Sequence, residues 1–336
     1  MRLPSFEYLR PESLDAALEF LDRYQEDAAL LAGGTDLLVR MKQRLHEPSV
    51  LISLKGIQGM NYVLQGEGVI KIGAMSPLAS LLESETIRHL YPSLNRAVRL
   101  IGAPPIQHFR GTIGGNLCLE TRCLYYDQSP LWRSGRTRCH KDKGETCYAE
   151  ENSDRCRSAN QSDGGCALMA LGAMIELCST KGSRILPIEE FFTGKGEKPF
   201  ALDANEMVKE IRLTLPQEGE SSSFHKLTYR SAIDFALVSA AAKVTVGDGK
   251  ISSIRIAVGG AGAAPLLLKE AGDMLLGKSV SDTRAIEEAS EAVSRHAAAF
   301  MVDNLGSSLE YRKKMAGVMA RKAIGEALQR ALEGMQ

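Results

Sequence analysis

The chain lacks a surplus of charge of either sign: 41 Lys and Arg balance 41 Asp and Glu. That argues against a nucleic-acid partner, which needs a basic footprint. No apolar run approaches the roughly 18 residues of a membrane span, so no membrane association is expected. The opening Met1-Arg2-Leu3-Pro4-Ser5 does not read as a secretion signal. A cytoplasmic location is therefore expected, where the seven cysteines stay reduced rather than form disulfides. Also missing are an internal repeat, a Ser/His/Asp set, paired carboxylates at useful spacing and a metal-ligand pattern among the six histidines. No side chain is expected to be catalytic. His108 and His140 are expected to be surface or loop histidines.

Apolar residues are absent where they would matter most. Residues 133–157 include twelve charged side chains and not one Val, Ile, Leu or Met. Burial cannot offset the roughly 1–2 kcal/mol per residue lost on ordering such a backbone. What the segment does have is cysteine: Cys123, Cys139, Cys147 and Cys156, with fifteen, seven and eight residues between them. Four thiolates on one metal centre would supply the missing cross-link. Structural zinc sites bring ligands in close pairs, and there is no CxxC here; an iron–sulfur cluster tolerates irregular spacing. Spacing favours the cluster but leaves zinc and free thiols open. Cys118, Cys166 and Cys178 sit among apolar neighbours and read as buried core cysteines.

The rest is ordinary globular sequence, 44% hydrophobic, and its length suggests two domains. Apolar periodicity predicts a helix after Pro11 carrying Leu14, Ala17, Leu18 and Leu21, and a short buried strand at 28–31. A helix with Leu37, Leu38, Met41 and Leu45 follows, then strands at 50–54, 69–74 and 207–215. A polar break at 217–223 reads as a domain boundary. Beyond it, strands at 224–229, 236–246 and 251–258 are expected, the last two joined by the hairpin signal Gly247-Asp248-Gly249-Lys250. Long helices are expected near 282–303 and 308–333.

Two glycine loops stand out. Ala32-Gly33-Gly34-Thr35-Asp36 lies between a strand and a helix, where backbone N–H groups can approach a phosphate. Thr112-Ile113-Gly114-Gly115-Asn116 has the same character. Either alone reads as a turn. Gly259-Gly260-Ala261-Gly262-Ala263-Ala264-Pro265 is weaker still: Pro265 replaces the third glycine of a dinucleotide fingerprint, and its strand belongs to a hairpin. It is read as a tight turn into a helix starting near Pro265.

In order along the chain, Leu31-Ala32-Gly33-Gly34-Thr35-Asp36-Leu37, Gly111-Thr112-Ile113-Gly114-Gly115-Asn116-Leu117, Ser162-Asp163, Glu206-Met207-Val208, Phe224-His225-Lys226, Arg230 and Asp234 form a specific set. Together they resemble the flavin-binding medium subunit of the molybdenum hydroxylase (xanthine dehydrogenase) family. Most members join the second loop to the Ser-Asp pair directly. The roughly forty-residue cysteine insertion here resembles that of the β subunit of 4-hydroxybenzoyl-CoA reductase, which carries a [4Fe–4S] cluster.

The resemblance implies an α+β protein: a two-subdomain FAD-binding fold of the vanillyl-alcohol-oxidase type over 1–216, then a C-terminal α+β domain over 222–333, like that of CO dehydrogenase flavoproteins. The subdomains would be about 1–57 and 58–216, with the insertion at about 119–161. It further implies that Leu31, Ala32, Gly33, Gly34, Thr35, Asp36, Leu37 and Leu38 wrap the FAD pyrophosphate with Thr112, Ile113, Gly114, Gly115 and Asn116. Gly102 would lie near the flavin, Asp163 would accept hydrogen bonds near the ribityl or phosphate region, and Val208 would pack on the cofactor. Lys226 would reach the isoalloxazine edge, and Cys123, Cys139, Cys147 and Cys156 would hold the cluster.

The implied partners are a large molybdenum-cofactor subunit and a small subunit with two [2Fe–2S] clusters, in a dimer of heterotrimers. Ferredoxin is the expected electron donor, and reductive dehydroxylation of an aromatic CoA thioester the expected reaction. A hydroxylase of a purine or other N-heterocycle and a zinc-bearing interaction module are the alternatives.

Overall fold

The structure is a computed structural model and describes residues 2–334. Near the N-terminus, strands β1 (Glu7–Leu9), β2 (Ala28–Leu31) and β3 (Val50–Ser53) form a parallel sheet in the order β1-β3-β2. The helix Leu14–Tyr24 buries the expected stripe of Ala17, Leu18 and Leu21, and the Ser13 hydroxyl caps it by accepting the Ala16 N–H at 3.1 Å.

Strands β4 (Val63–Gln65), β5 (Val69–Gly73), β6 (Met174–Ser179), β7 (Gly182–Pro187) and β8 (Met207–Thr214) form an antiparallel sheet ordered β4-β5-β8-β6-β7. Its core face carries the fully buried Ile70, Ile72, Ile175, Leu177 and Ile211. The chain leaves this sheet after β5, builds both the second glycine loop and the cysteine insertion, and returns through the buried helix Asp163–Leu171. Both features are thus anchored on one sheet.

Strands β9 (Glu220–Leu227), β10 (Val238–Gly247), β11 (Lys250–Gly259) and β12 (Leu266–Leu267) make a third, antiparallel sheet, ordered β12-β11-β10-β9. The helices Thr283–Ala298 and Leu309–Glu333 pack with it around a separate apolar core. The β10–β11 turn has Asp248 and Gly249 both at positive φ, as a two-residue hairpin of matching twist requires. The molecule is α+β.

Three expectations need correction. The polar break at 217–223 already contains the start of β9. Ser222 and Ser223 are buried because they have partners: the Ser93 N–H donates to Ser222 Oγ at 3.3 Å, and Ser223 Oγ donates to Glu326 at 2.8 Å. No helix starts at Pro265, where β12 pairs with β11 and the short helix Lys269–Asp273 follows. The first C-terminal helix stops at Ala298, and the segment after it carries Asn304 to the cysteine insertion, where its Nδ2 donates to the Arg157 carbonyl at 2.5 Å.

Candidate functional site

A cavity of about 680 Å³ opens between the N-terminal sheet, the second glycine loop and the insertion. That is the upper part of the roughly 300–1,000 Å³ range of small-molecule sites. The two loops meet there. A Cβ on Gly33 would stand 1.8 Å from the Arg110 carbonyl oxygen, so only glycine permits the approach. Gly34 holds φ +76°, a left-handed turn suited to glycine.

Among the described residues, the backbone N–H groups of Gly33, Gly34, Thr35 and Asp36 have no hydrogen-bond partner, and all four residues line the cavity. Four consecutive free amides in a turn that enters a helix match the donor set that an anionic pyrophosphate requires. Asp36 would oppose an anion. Burial raises its carboxyl pKa, against the pull of Arg122 and Arg40, and Arg122 pairs with it directly.

The second loop is built differently. The N–H groups of Ile113 and Gly114 donate to Ser76 and Ala74 carbonyls, and that of Gly115 to Thr112 Oγ1 at 3.1 Å. The expected fan of free amides is already consumed in holding the loop on the sheet. What remains for a ligand is close approach at Thr112, Gly115 and Asn116, which line the cavity; Ile113 and Gly114 are buried behind them. Asn116 Oδ1 accepts Ser162 Oγ and the Gly164 N–H, both at 3.0 Å, tying this loop to the helix that presents Asp163.

Asp163 lines the cavity at 4% exposure, with Oδ1 unpartnered and Oδ2 on Lys226 at 2.6 Å. Burial raises its pKa to about 6, against the pull of Lys226. Lys226 itself does not line the cavity. Its ammonium donates to the Leu100 carbonyl at 2.9 Å, Asp163 at 2.6 Å and the Asp234 carbonyl at 2.8 Å, which fills its three donors. It is buried behind Asp163 rather than facing the cavity. Val208, expected against the cofactor, lies instead in the sheet core paired with Leu177, and Leu31 and Leu38 pack behind the first loop. Gly102 does line the cavity, at φ +54° under the Gln107 side chain.

Other lining residues gave no sequence signal. Ile233 and Phe235 roof one side, and Ile233 holds φ +60°, a conformation costly for a β-branched residue. Phe235 stacks under Arg122 at 4.9 Å. Cys118, expected in the core, lines the cavity, and burial pushes its thiol up to about 12. His108 is buried on the Ile101 carbonyl at 2.9 Å rather than at the surface.

Cys123, Cys139, Cys147 and Cys156 line one small apolar cavity beside the first. The insertion is pinned at its base, where Arg122 and Ala159 exchange two backbone hydrogen bonds of 2.8 Å. The glycine-rich turn after β11 receives its exit: Asn160 N–H donates to the Gly262 carbonyl, and Gly260 N–H to the Asn160 carbonyl. Ion pairs Arg133–Asp142 and Arg157–Glu150, and Arg136 over Trp132 at 4.0 Å, hold the interior. The loop therefore has more internal support than its composition suggests, though such contacts are worth only about 0.5–1 kcal/mol each.

Burial raises the Cys123 thiol to about 12 and raises that of Cys156, the latter against the pull of Ser158 and Lys141. Among the described residues, no three His, Cys, Asp or Glu side chains stand close enough to hold one metal ion. A tetrahedral zinc site with Zn–S of about 2.3 Å would need sulfurs roughly 3.8 Å apart. No helix among the described residues is long and apolar enough to cross a membrane.

Comparison with known proteins agrees with this geometry. The carbon monoxide dehydrogenase medium chain of Afipia carboxidovorans is 30% identical over 330 residues, covering 97% of this chain and 98% of the relative. The nicotine 6-hydroxylase medium subunit of Paenarthrobacter nicotinovorans is 28% identical over 97% of this chain and 99% of its own length. In solved structures, carbon monoxide dehydrogenase from Hydrogenophaga pseudoflava superposes with a TM-score of 0.79 at 27% identity, covering 98% of this chain and 99% of that one. Residues 4–216 match the family described as the FAD binding domain in molybdopterin dehydrogenase, and residues 222–327 the CO dehydrogenase flavoprotein C-terminal domain. With its free amides, glycine contact and two-part α+β build, the chain belongs to the FAD-binding medium subunits of the molybdenum hydroxylases and is an oxidoreductase subunit.

Proposed function

We propose that this chain carries both FAD and a [4Fe–4S] cluster and feeds electrons from a ferredoxin into a molybdenum enzyme of the 4-hydroxybenzoyl-CoA reductase type. The observation that carries the reading is the convergence of four cysteines, from one insertion, on a cavity adjoining the FAD cavity.

The free amides at 33–36 would hold the pyrophosphate, Asp163 Oδ1 would accept a hydroxyl donor, and Cys123, Cys139, Cys147 and Cys156 would hold the cluster. When bound, the cluster supplies single electrons, and FAD joins one-electron to two-electron chemistry. The protein's own contribution is to hold the groups in place and keep Asp163, at the cavity wall, paired with Lys226 behind it. Substrate would be transformed on a large molybdenum-cofactor subunit, with a small subunit bearing two [2Fe–2S] clusters between the centres. The assembly would be a cytoplasmic dimer of heterotrimers. The FAD-binding unit would be 1–216, in parts of about 1–57 and 58–216, and the C-terminal unit 222–333.

A second reading keeps the flavin and reverses the flow, serving hydroxylation of an N-heterocycle. The likeness to nicotine 6-hydroxylase favours it. Anaerobic purification of the whole complex, counting flavin, iron, sulfide and zinc, tests the cluster. About four irons per FAD beyond the partner clusters, lost with Cys139→Ser, is the expected result. Zinc in their place, or no excess iron, overturns it. Turnover of an aromatic acyl-CoA with reduced ferredoxin, and none of an N-heterocycle, separates the two directions.

A further inference from the structure

The two cavities share a wall. Tyr126 and Lys141 line both of them. Glu197 lines the larger cavity, and its Oε2 accepts the Cys156 N–H at 3.0 Å. One layer of side chains therefore separates the cysteine cavity from the dinucleotide cavity.

The charge in that layer is fixed. The Lys141 side chain is 5% exposed, and its ammonium meets Thr121 Oγ1 at 2.6 Å, the Gly196 carbonyl at 2.7 Å and Glu120 at 2.8 Å. With three donors filled, it cannot swing away. Glu120 is its counter-ion but does not cancel it: this carboxylate is 34% exposed and is shared with the buried Arg40 at 3.4 Å. Solvent screens the acid more than the base. Tyr126, whose ring centroid lies 5.8 Å from the ammonium, lines both cavities beside it.

A cluster or a flavin becomes more negative on reduction, and a buried cation in a medium of low effective dielectric stabilises the reduced form. We infer that Lys141 is a shared counter-charge that raises the reduction potentials of the groups in both cavities. It acts as a positioning residue rather than a ligand. The inference rests on the [4Fe–4S] reading for its cluster half and stands separately for the flavin half.

The test uses the whole complex with Lys141→Met, Lys141→Gln and Lys141→Arg. Iron and flavin content are measured first, then reduction midpoints, by EPR for the cluster and absorbance for the flavin. Cofactor content should hold, both midpoints should move negative in the Met and Gln variants, and Arg should return most of the shift. Full cofactor content with unmoved midpoints overturns the inference. So does loss of iron even with Gln, which keeps hydrogen-bonding capacity and would assign Lys141 a purely structural role. Absence of excess iron in the unsubstituted complex sinks the cluster reading instead, and the flavin midpoint then decides Lys141 alone.

Discussion

Gly33 shows how far one residue can decide the site. Its α-carbon faces the Arg110 carbonyl so closely that a methyl group would stand 1.8 Å from the oxygen. Gly33→Ala must push the two loops apart. Overpacking of this kind costs about 2 kcal/mol, and if the cost falls on the bound state, FAD affinity drops roughly 30-fold. Flavin absorbance of the purified complex measures it. Gly325→Ala is the control: that glycine lies in the C-terminal helix with open space around it, so flavin content should not change. The sequence showed that a glycine stood at 33 but not what it faced, because Arg110 is 77 positions away.

At the scale of elements, the C-terminal helix, already packed on its apolar core, is clamped to strand β9 and the helix Pro92–Arg99 by one carboxylate. Glu326 is partly buried, which alone would raise its pKa, but hydrogen bonds from Arg330, Ser223 and His225 and the charge of Arg96 bring it down to about 2. A folded pKa below the unfolded value means the native state binds fewer protons. The contribution is fully present above about pH 4.5 and is lost as pH falls towards 2. Glu326→Gln should cost about 2 kcal/mol at pH 7, the scale of a charge-assisted hydrogen bond. It should also flatten the acid limb of stability between pH 4.5 and 2. Urea midpoints across that range check both. The helix itself was legible as apolar periodicity; its clamp, formed with strand β9 and the helix Pro92–Arg99, was not.

At the scale of the molecule, the cysteine insertion is a strap tied down at both ends. Its base closes through Arg122 and Ala159, and its entry and exit are held by Asn304 and Gly262 of the C-terminal unit. Between the ties there are ion pairs and thiols but little apolar surface. On the proposed [4Fe–4S] reading, chelating that iron under reducing conditions should therefore loosen 133–157 without releasing flavin. Tryptic cleavage at Arg136, Arg138 or Arg155 should rise on the order of tenfold, the equivalent of about 1.4 kcal/mol of lost local stability. Cleavage unchanged by chelation, with flavin retained, would show that charge pairing alone holds the strap.

The periodic helices, the strands flanking the glycine loops, the hairpin after β10 and the isolation of four cysteines in a polar insertion were all decided by residues adjacent in the chain. They could be read there. Which loop keeps its amides free could not, because the second loop spends its own on Ser76 and Ala74, dozens of residues earlier. Nor could the burial of Lys226, whose partners Leu100 and Asp163 are 126 and 63 positions away. The wall that Tyr126 and Lys141 share between two cavities belongs to the same class. Local pattern specified the elements and the donor types; long-range packing decided which donors were left over, and those leftovers make the site.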